Sequence, residues 1–195
     1  TLLLGAAQHA QEYLRSMILL AAPWDFHAGS GALLNRVKFW APNAFPVIDE
    51  KKMLPVDWIQ ILFASLDPSI AAVKFSNFAN MEEGSEAQKL FIAVEDWIND
   101  GVDLPADVAQ RCIEKWFLKN LPGNGSWEVG SEIVRPEKFE CPVLIVASDK
   151  DRLVEYETAA ALHDKIKNST LINPSCGHIG MIAGRHSLDK VWQPI

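Results

Sequence analysis

A chain of 195 residues with 49% hydrophobic and 22% charged side chains can bury a sizeable core, which excludes a disordered or fibrous polypeptide. Eighteen basic against 25 acidic residues give a net charge of −7, so the chain offers no electrostatic footprint for nucleic acid. The longest apolar run, residues 17–24, contains Pro23 and is far shorter than the roughly 20 residues that cross a bilayer, so no transmembrane segment is expected.

The chain begins Thr1-Leu2-Leu3-Leu4 without an initiator Met, and with no basic n-region or cleavage site the expected location is cytoplasmic. Residues 4–14, rich in Ala, Leu and Gln, predict a helix leading into a buried strand over 17–22. Pro23 and the segment Trp24-Asp25-Phe26-His27 end that strand, and Gly29-Ser30-Gly31 is expected to be a flexible loop. From about residue 33 to 127, helical patterns are separated by prolines at 42, 46, 55, 68, 105 and 122. Helices are predicted over 57–63, over 87–98 with Leu90, Phe91, Val94, Trp97 and Ile98 as its apolar positions, and over 107–120, closed by Leu121-Pro122-Gly123. Six of the seven Trp and eight of the nine Phe lie between residues 24 and 127, and they are expected to form the core of this block.

After Gly130 the pattern changes. Val143 to Ala147 is a continuous apolar run that suits a strand covered on both faces, as in a parallel sheet. Ser148 to Arg152 is its polar exit loop, 155–166 a helix, Thr170-Leu171-Ile172 a second strand, and Pro174 to His178 the loop beyond it. The fold class expected is therefore α/β: a core over residues 1–28, a helical insertion over 29–135, and a βαβ unit over 136–195.

That βαβ unit carries the chemistry. Asp151 and His178 stand 27 residues apart on successive strand-end loops, where neighbouring parallel strands bring a carboxylate to an imidazole. Such a carboxylate fixes the ring's tautomer and stabilises the imidazolium formed when it takes a proton from a nucleophile. In α/β-hydrolases the chain order is nucleophile, acid, His, and the last two are here in that order. Asp149 competes for the role, but Asp151 precedes Leu153-Val154, which would anchor the next segment, so Asp151 is preferred.

Other candidates are weaker. Cys112, Cys141 and Cys176 match no zinc spacing and are expected to be reduced thiols, Cys176 being the notable one because it lies two residues before His178. Asp25 and His27 form an Asp-x-His pair without further clustered ligands, so no metal is expected. His9, His163 and His186 receive no role.

Several segments together resemble the polyhydroxyalkanoate synthases, also called poly(3-hydroxyalkanoate) polymerases, over nearly the whole chain. Asp151-Arg152-Leu153-Val154 is similar to that family's Asp-x-Ile-Val-Pro segment, with Glu155 in place of the proline, and Gly177-His178-Ile179-Gly180 to its Gly-His-Ile segment. Glu95 to Asp100 resembles its lid-region Glu-x-Trp-Ile-x-Asp, and Trp24-Asp25-Phe26 its Asp-Phe segment. The resemblance implies an α/β-hydrolase-like sheet with the 29–135 block as a lid. It implies a cysteine nucleophile in a Gly-x-Cys-x-Gly-Gly elbow just before Thr1, so the chain reads as the C-terminal portion of a larger enzyme and is expected to be inactive alone. It further implies 3-hydroxyacyl-CoA as substrate, with no cofactor. His178 would act as general base, and Asp151 would either orient His178 or help activate the substrate's 3-hydroxyl. Implied partners are the growing polyester, a second copy of the chain and the surface of a polymer granule. Two other readings remain: an esterase, thioesterase or depolymerase with an upstream Ser, and a non-catalytic protein binding granules or partners through its aromatic helical surface.

Overall fold

A computed structural model describes residues 1–195. The chain divides into two compact units, one of residues 1–38 and 111–195, the other of residues 39–110.

In chain order the elements are α1 (Leu2–Gln8), β1 (Met17–Leu20), α2 (Ala32–Lys51), β2 (Met53–Leu54), α3 (Val56–Ala64), α4 (Ile70–Ala79), α5 (Glu86–Asn99), β3 (Leu104–Pro105) and α6 (Ala106–Arg111). There follow β4 (Glu128–Val129), β5 (Glu132–Ile133), β6 (Val143–Val146), α7 (Tyr156–Ala160), β7 (Ser169–Ile172) and α8 (Gly180–Ala183). Helix α6 widens into π-helical turns over Cys112–Leu118, and a second such segment spans Leu188–Trp192. No helix is long and apolar enough to cross a membrane.

The first unit is built on a parallel three-stranded sheet in the order β1-β6-β7, with Met17 opposite Val143 and Val143 opposite Ser169. Side chains alternate across it with the period of two that a pleated strand imposes. Met17, Leu19, Val143 and Ile145 enter a core with Leu4, Ala7, Trp24, Trp127, Leu162 and Ile166, while Val146 joins Met181 and Val191 on the other face, flanked by Leu20 and Leu144. Helices thus cover both faces, as the apolar run of β6 demands. Strand β1 is less enclosed than expected: Ile18 is 44% exposed. The strand also stops at Leu20, because Ala21 takes a left-handed φ of 45°.

Helix α1 lies close over β4 because residue 5 is glycine, whose absent Cβ would stand 2.7 Å from the Val129 side chain. The helix ends sooner than the predicted residue 14, where Gln8 turns its amide to Ile133 O at 3.1 Å and to Arg135 N at 2.7 Å. The predicted helix over 155–166 is also shorter. After Ala160 it tightens into three-residue turns, with His163 N bonding Ala160 O at 2.8 Å, that still bury Leu162 and Ile166.

In the second unit, α2 runs through both Pro42 and Pro46 instead of breaking at them. Neither proline has an amide N–H, so the carbonyls of Lys38 and Pro42 lose their helical donors, the first of them where the two units divide. Asp103 Oδ1 accepts from Val56 N at 2.9 Å at the start of α3, and Ser85 caps α5 by accepting from Gln88 N at 3.2 Å. Trp40 meets Trp58 edge-on at 5.6 Å, Phe78 stacks on Phe91 at 4.6 Å, and Lys74 pairs with Glu95 at 2.6 Å. The two-residue ladder of β2 with β3 is too short to leave an alternating pattern in the sequence.

The helical insertion expected over 29–135 has different bounds here, since residues 29–38 and 111–135 belong to the first unit. The reason is aromatic packing. Trp127 meets Trp24 at 6.1 Å and Trp116 at 5.8 Å, and Phe26 packs on Trp116 at 5.7 Å and Phe117 at 5.0 Å.

Candidate active site

Strands β6 and β7 end side by side, their last pairing continued by Ala147 N to Ile172 O at 3.1 Å, so the loops that leave them emerge together. This places Asp151 against His178. The ring Nδ1 lies 2.7 Å from Asp151 Oδ2. The other carboxylate oxygen, Oδ1, accepts from the amides of Leu153 at 2.8 Å and Val154 at 2.9 Å. With Asp151 Oδ2 on Nδ1, the ring's other nitrogen, Nε2, is directed away from the acid. The Asp151 side chain is 0% exposed and that of His178 31%, so the carboxylate is sealed inside while the ring reaches solvent. No hydrogen bond within the chain engages Nε2.

Asp149 is exposed and offers only its backbone, Asp149 N lying 3.3 Å from Asn173 Oδ1. Sequence reasoning missed what joins the two loops. Ser148, the first polar residue after the apolar run, donates from Oγ to Cys176 O at 2.5 Å and accepts from Cys176 N at 2.8 Å. Asn173 Oδ1 also accepts from Ser175 N at 2.9 Å, bracing a residue whose φ of 52° lies in the left-handed region.

Glu155 is the second omission. Its carboxylate accepts from Ser30 N, from Ser30 Oγ at 2.9 Å and from Ala32 N at 2.9 Å, so the segment expected to be a flexible loop is clamped at the start of α2. Gly29, at φ 78°, has its Cα so close to this carboxylate that a Cβ would collide with it. Partial burial pushes the Glu155 carboxyl up, but the hydrogen bonds from Ser30, Ala32 and Gly31 outweigh it and hold the carboxyl below its ordinary value. The glutamate that replaces the resembling family's proline was the signal.

The remaining candidates are occupied elsewhere. Asp25 Oδ1 accepts from Asn120 Nδ2 at 2.8 Å and His27 N at 3.0 Å, while Asn120 Oδ1 takes Phe26 N at 2.9 Å. His27 Nε2 lies 2.8 Å from Phe117 O, so this pair fastens the aromatic segment to the turn after residue 118. No group of three or more His, Cys, Asp or Glu side chains could hold a metal. His9 faces Glu132 at 3.7 Å, His163 Nδ1 meets Ser169 Oγ at 2.9 Å, and His186 lies beside Arg185 at 3.4 Å. All three cysteines are free thiols, and burial pushes those of Cys112 and Cys176 up, away from the thiolate that a nucleophile needs.

No protein-family model matches the chain. The chain is, however, similar over nearly its whole length to poly(3-hydroxyalkanoate) polymerase subunits PhaC. It is 24% identical over 191 residues to that of Haloferax mediterranei, covering 94% of this chain and 38% of the relative. For Haloarcula marismortui the figures are 25% over 190 residues, 95% and 40%, and for Synechocystis sp. 26% over 187 residues, 90% and 49%. The resemblance carried by single motifs thus extends along the chain, which spans less than half the length of these curated relatives. Among solved structures it is similar to MGS-M2, an alpha/beta hydrolase enzyme from a Medee basin deep-sea metagenome library, at 16% identity and a TM-score of 0.42, over 94% of this chain and 57% of that one. The α/β class is read from the parallel sheet itself.

Proposed function

We propose that this chain supplies the general base and its acid to a poly(3-hydroxyalkanoate) polymerase, an acyltransferase that joins 3-hydroxyacyl groups from CoA thioesters into polyester. One observation carries the reading: His178 Nδ1 is tied to the buried Asp151 at 2.7 Å, which leaves Nε2 as an open proton acceptor. The similarity to the polymerase subunits supplies the substrate class.

In this mechanism Nε2 of His178 takes the proton from a cysteine thiol outside these 195 residues, and the thiolate attacks the thioester carbonyl. The tetrahedral intermediate collapses with loss of CoA, whose sulfur receives the proton back from His178. His178 then removes the proton from the 3-hydroxyl of an acyl group, and the resulting alkoxide attacks the acyl-enzyme thioester, forming the ester and expelling the cysteine thiolate, which takes the proton back from His178. Both oxygens of Asp151 are already engaged, by His178 and by two amides, which favours the orienting role over direct activation of the hydroxyl. The likeness of Glu95–Asp100 to the family's lid-region segment supports a lid role for the helical insertion, a role suited to excluding water from an acyl-enzyme. Homodimer formation and attachment to polyester granules, in the cytoplasm, belong to the same reading.

The full-length protein is the test. With 3-hydroxybutyryl-CoA it is expected to release CoA, build polymer, and lose both activities on thiol alkylation. Sensitivity to a fluorophosphonate instead, with ester hydrolysis and no polymer, would assign the site to a serine hydrolase. Neither reactivity, together with unchanged function in Asp151→Ala, would leave only a non-catalytic binding protein.

A further inference from the structure

The pair Asp151 and His178 is only as well aligned as the two loops that carry it, and one side chain joins those loops at their roots. Ser148 is buried at the end of β6. A hydroxyl has one proton to give and two lone pairs to receive with. All three positions are used here: Oγ donates to Cys176 O at 2.5 Å, accepts from Cys176 N at 2.8 Å, and accepts more weakly from Lys150 N at 3.4 Å. Lys150 precedes the acid by one residue and Cys176 precedes the histidine by two. The Ser148 carbonyl, in addition, accepts from Asp151 N at 3.1 Å.

We infer that Ser148 is a positioning residue for His178, holding the Cys176–His178 backbone so that Nδ1, and not Nε2, carries the proton and points at Asp151. The inference rests on the proposed acid–base role of the pair for its consequence in turnover, but not for its consequence in the ring. The geometry requires it because Cys176 has both of its backbone polar groups on one hydroxyl. Without that hydroxyl, neither is held, and the loop gains the freedom that a displacement of His178 by a fraction of an ångström needs. The opposite ends of the same two strands provide a matched control, for there Asn168 Nδ2 donates to Glu140 O at 3.2 Å. That tie also spans 28 residues but lies far along the strands from the acid and the histidine.

The test is the tautomer of His178, read from long-range proton–nitrogen correlation spectra of the chain with 15N-labelled histidine, the signals assigned with His178→Ala. Wild type is expected to show the Nδ1–H form. Ser148→Ala is expected to move the population toward the Nε2–H form preferred by free imidazole side chains, Ser148→Thr to restore it, and Asn168→Ala to leave it alone. Should Ser148→Ala fail to fold, Ser148→Cys keeps the volume, weakens the same bonds and carries the same comparison. A wild-type-like tautomer in Ser148→Ala, or an equal change in Asn168→Ala, overturns the inference. In the full-length protein Ser148→Ala is expected to lower kcat for CoA release by about ten- to a hundredfold, with KM little changed and Ser148→Thr active. A shifted tautomer alongside undiminished turnover in His178→Ala would reject the proposed function and leave the positioning role standing.

Discussion

The two units bury their large apolar side chains to different degrees. Around the parallel sheet Trp24, Phe26 and Trp127 are buried and packed ring against ring. In residues 39–110, helices α3, α4 and α5 contain no fully buried residue, and Phe39, Ile61, Phe75, Leu90 and Trp97 are exposed. A sheet sandwiched between helices has an interior on each face, whereas three short helices and a two-residue ladder enclose little volume. The contacting pair Asp151 and His178 lies entirely in the first, more enclosed unit.

The strongest challenge to this contrast is a pair of tryptophans. Trp24→Ala removes a side chain that is 2% exposed and should cost about 3–5 kcal/mol by denaturant titration. Trp97→Ala removes one that is 56% exposed and should change stability by about 0.5 kcal/mol or less. Equal losses would mean that Trp97 on α5 is enclosed as tightly as Trp24 beside the sheet. Asn120→Ala comes next in size. It deprives Asp25 and Phe26 N of their buried partner and leaves alanine at a φ of 49°, for an expected loss of about 1–3 kcal/mol. Asn120→Gly, free of the backbone penalty, should recover only part of it, and full recovery would show that those hydrogen bonds contribute nothing.

The smallest effect concerns pH. Because the Glu155 carboxyl is held below its ordinary value of 4.5, its contribution to stability is complete above that pH and is lost as the pH falls through the lower, folded-state value. Amide protection at Ser30 and Ala32 should therefore decline below about pH 4.5 in wild type, and Glu155→Gln should be weakened already at neutral pH and flat across that range. Protection that follows acid in both proteins alike would remove Glu155 as the clamp.

Much of the sheet unit could be read from residue order. The β-branched run over 143–147 and the short run before Asn173 specify strands by burial alone, and their exit loops fix where Asp151 and His178 meet. The preference for Asp151 over Asp149 rested on Leu153-Val154 anchoring the next segment, and the amides of those two residues do bind its carboxylate. What escaped depends on partners distant in sequence. Nothing local marks Ser148 as bonded to Cys176, Glu155 as bonded to Ser30, or Asn120 as bonded to Asp25. The bounds of the helical unit escaped for the same reason, since Trp116 and Trp127 look alike to a pattern whichever core they enter. Helix α2 continues through Pro42 and Pro46 because Ala41, Ala44 and Ile48 are buried along it, a tertiary gain that local propensity does not register.

The account stands or falls on His178 as a proton acceptor. The direct measurement is the rate of CoA release from 3-hydroxybutyryl-CoA by the full-length protein carrying His178→Ala, beside wild type and with folding verified by its melting transition. A fall of about a hundredfold or more is the predicted result, and a rate within a few-fold of wild type would contradict the account.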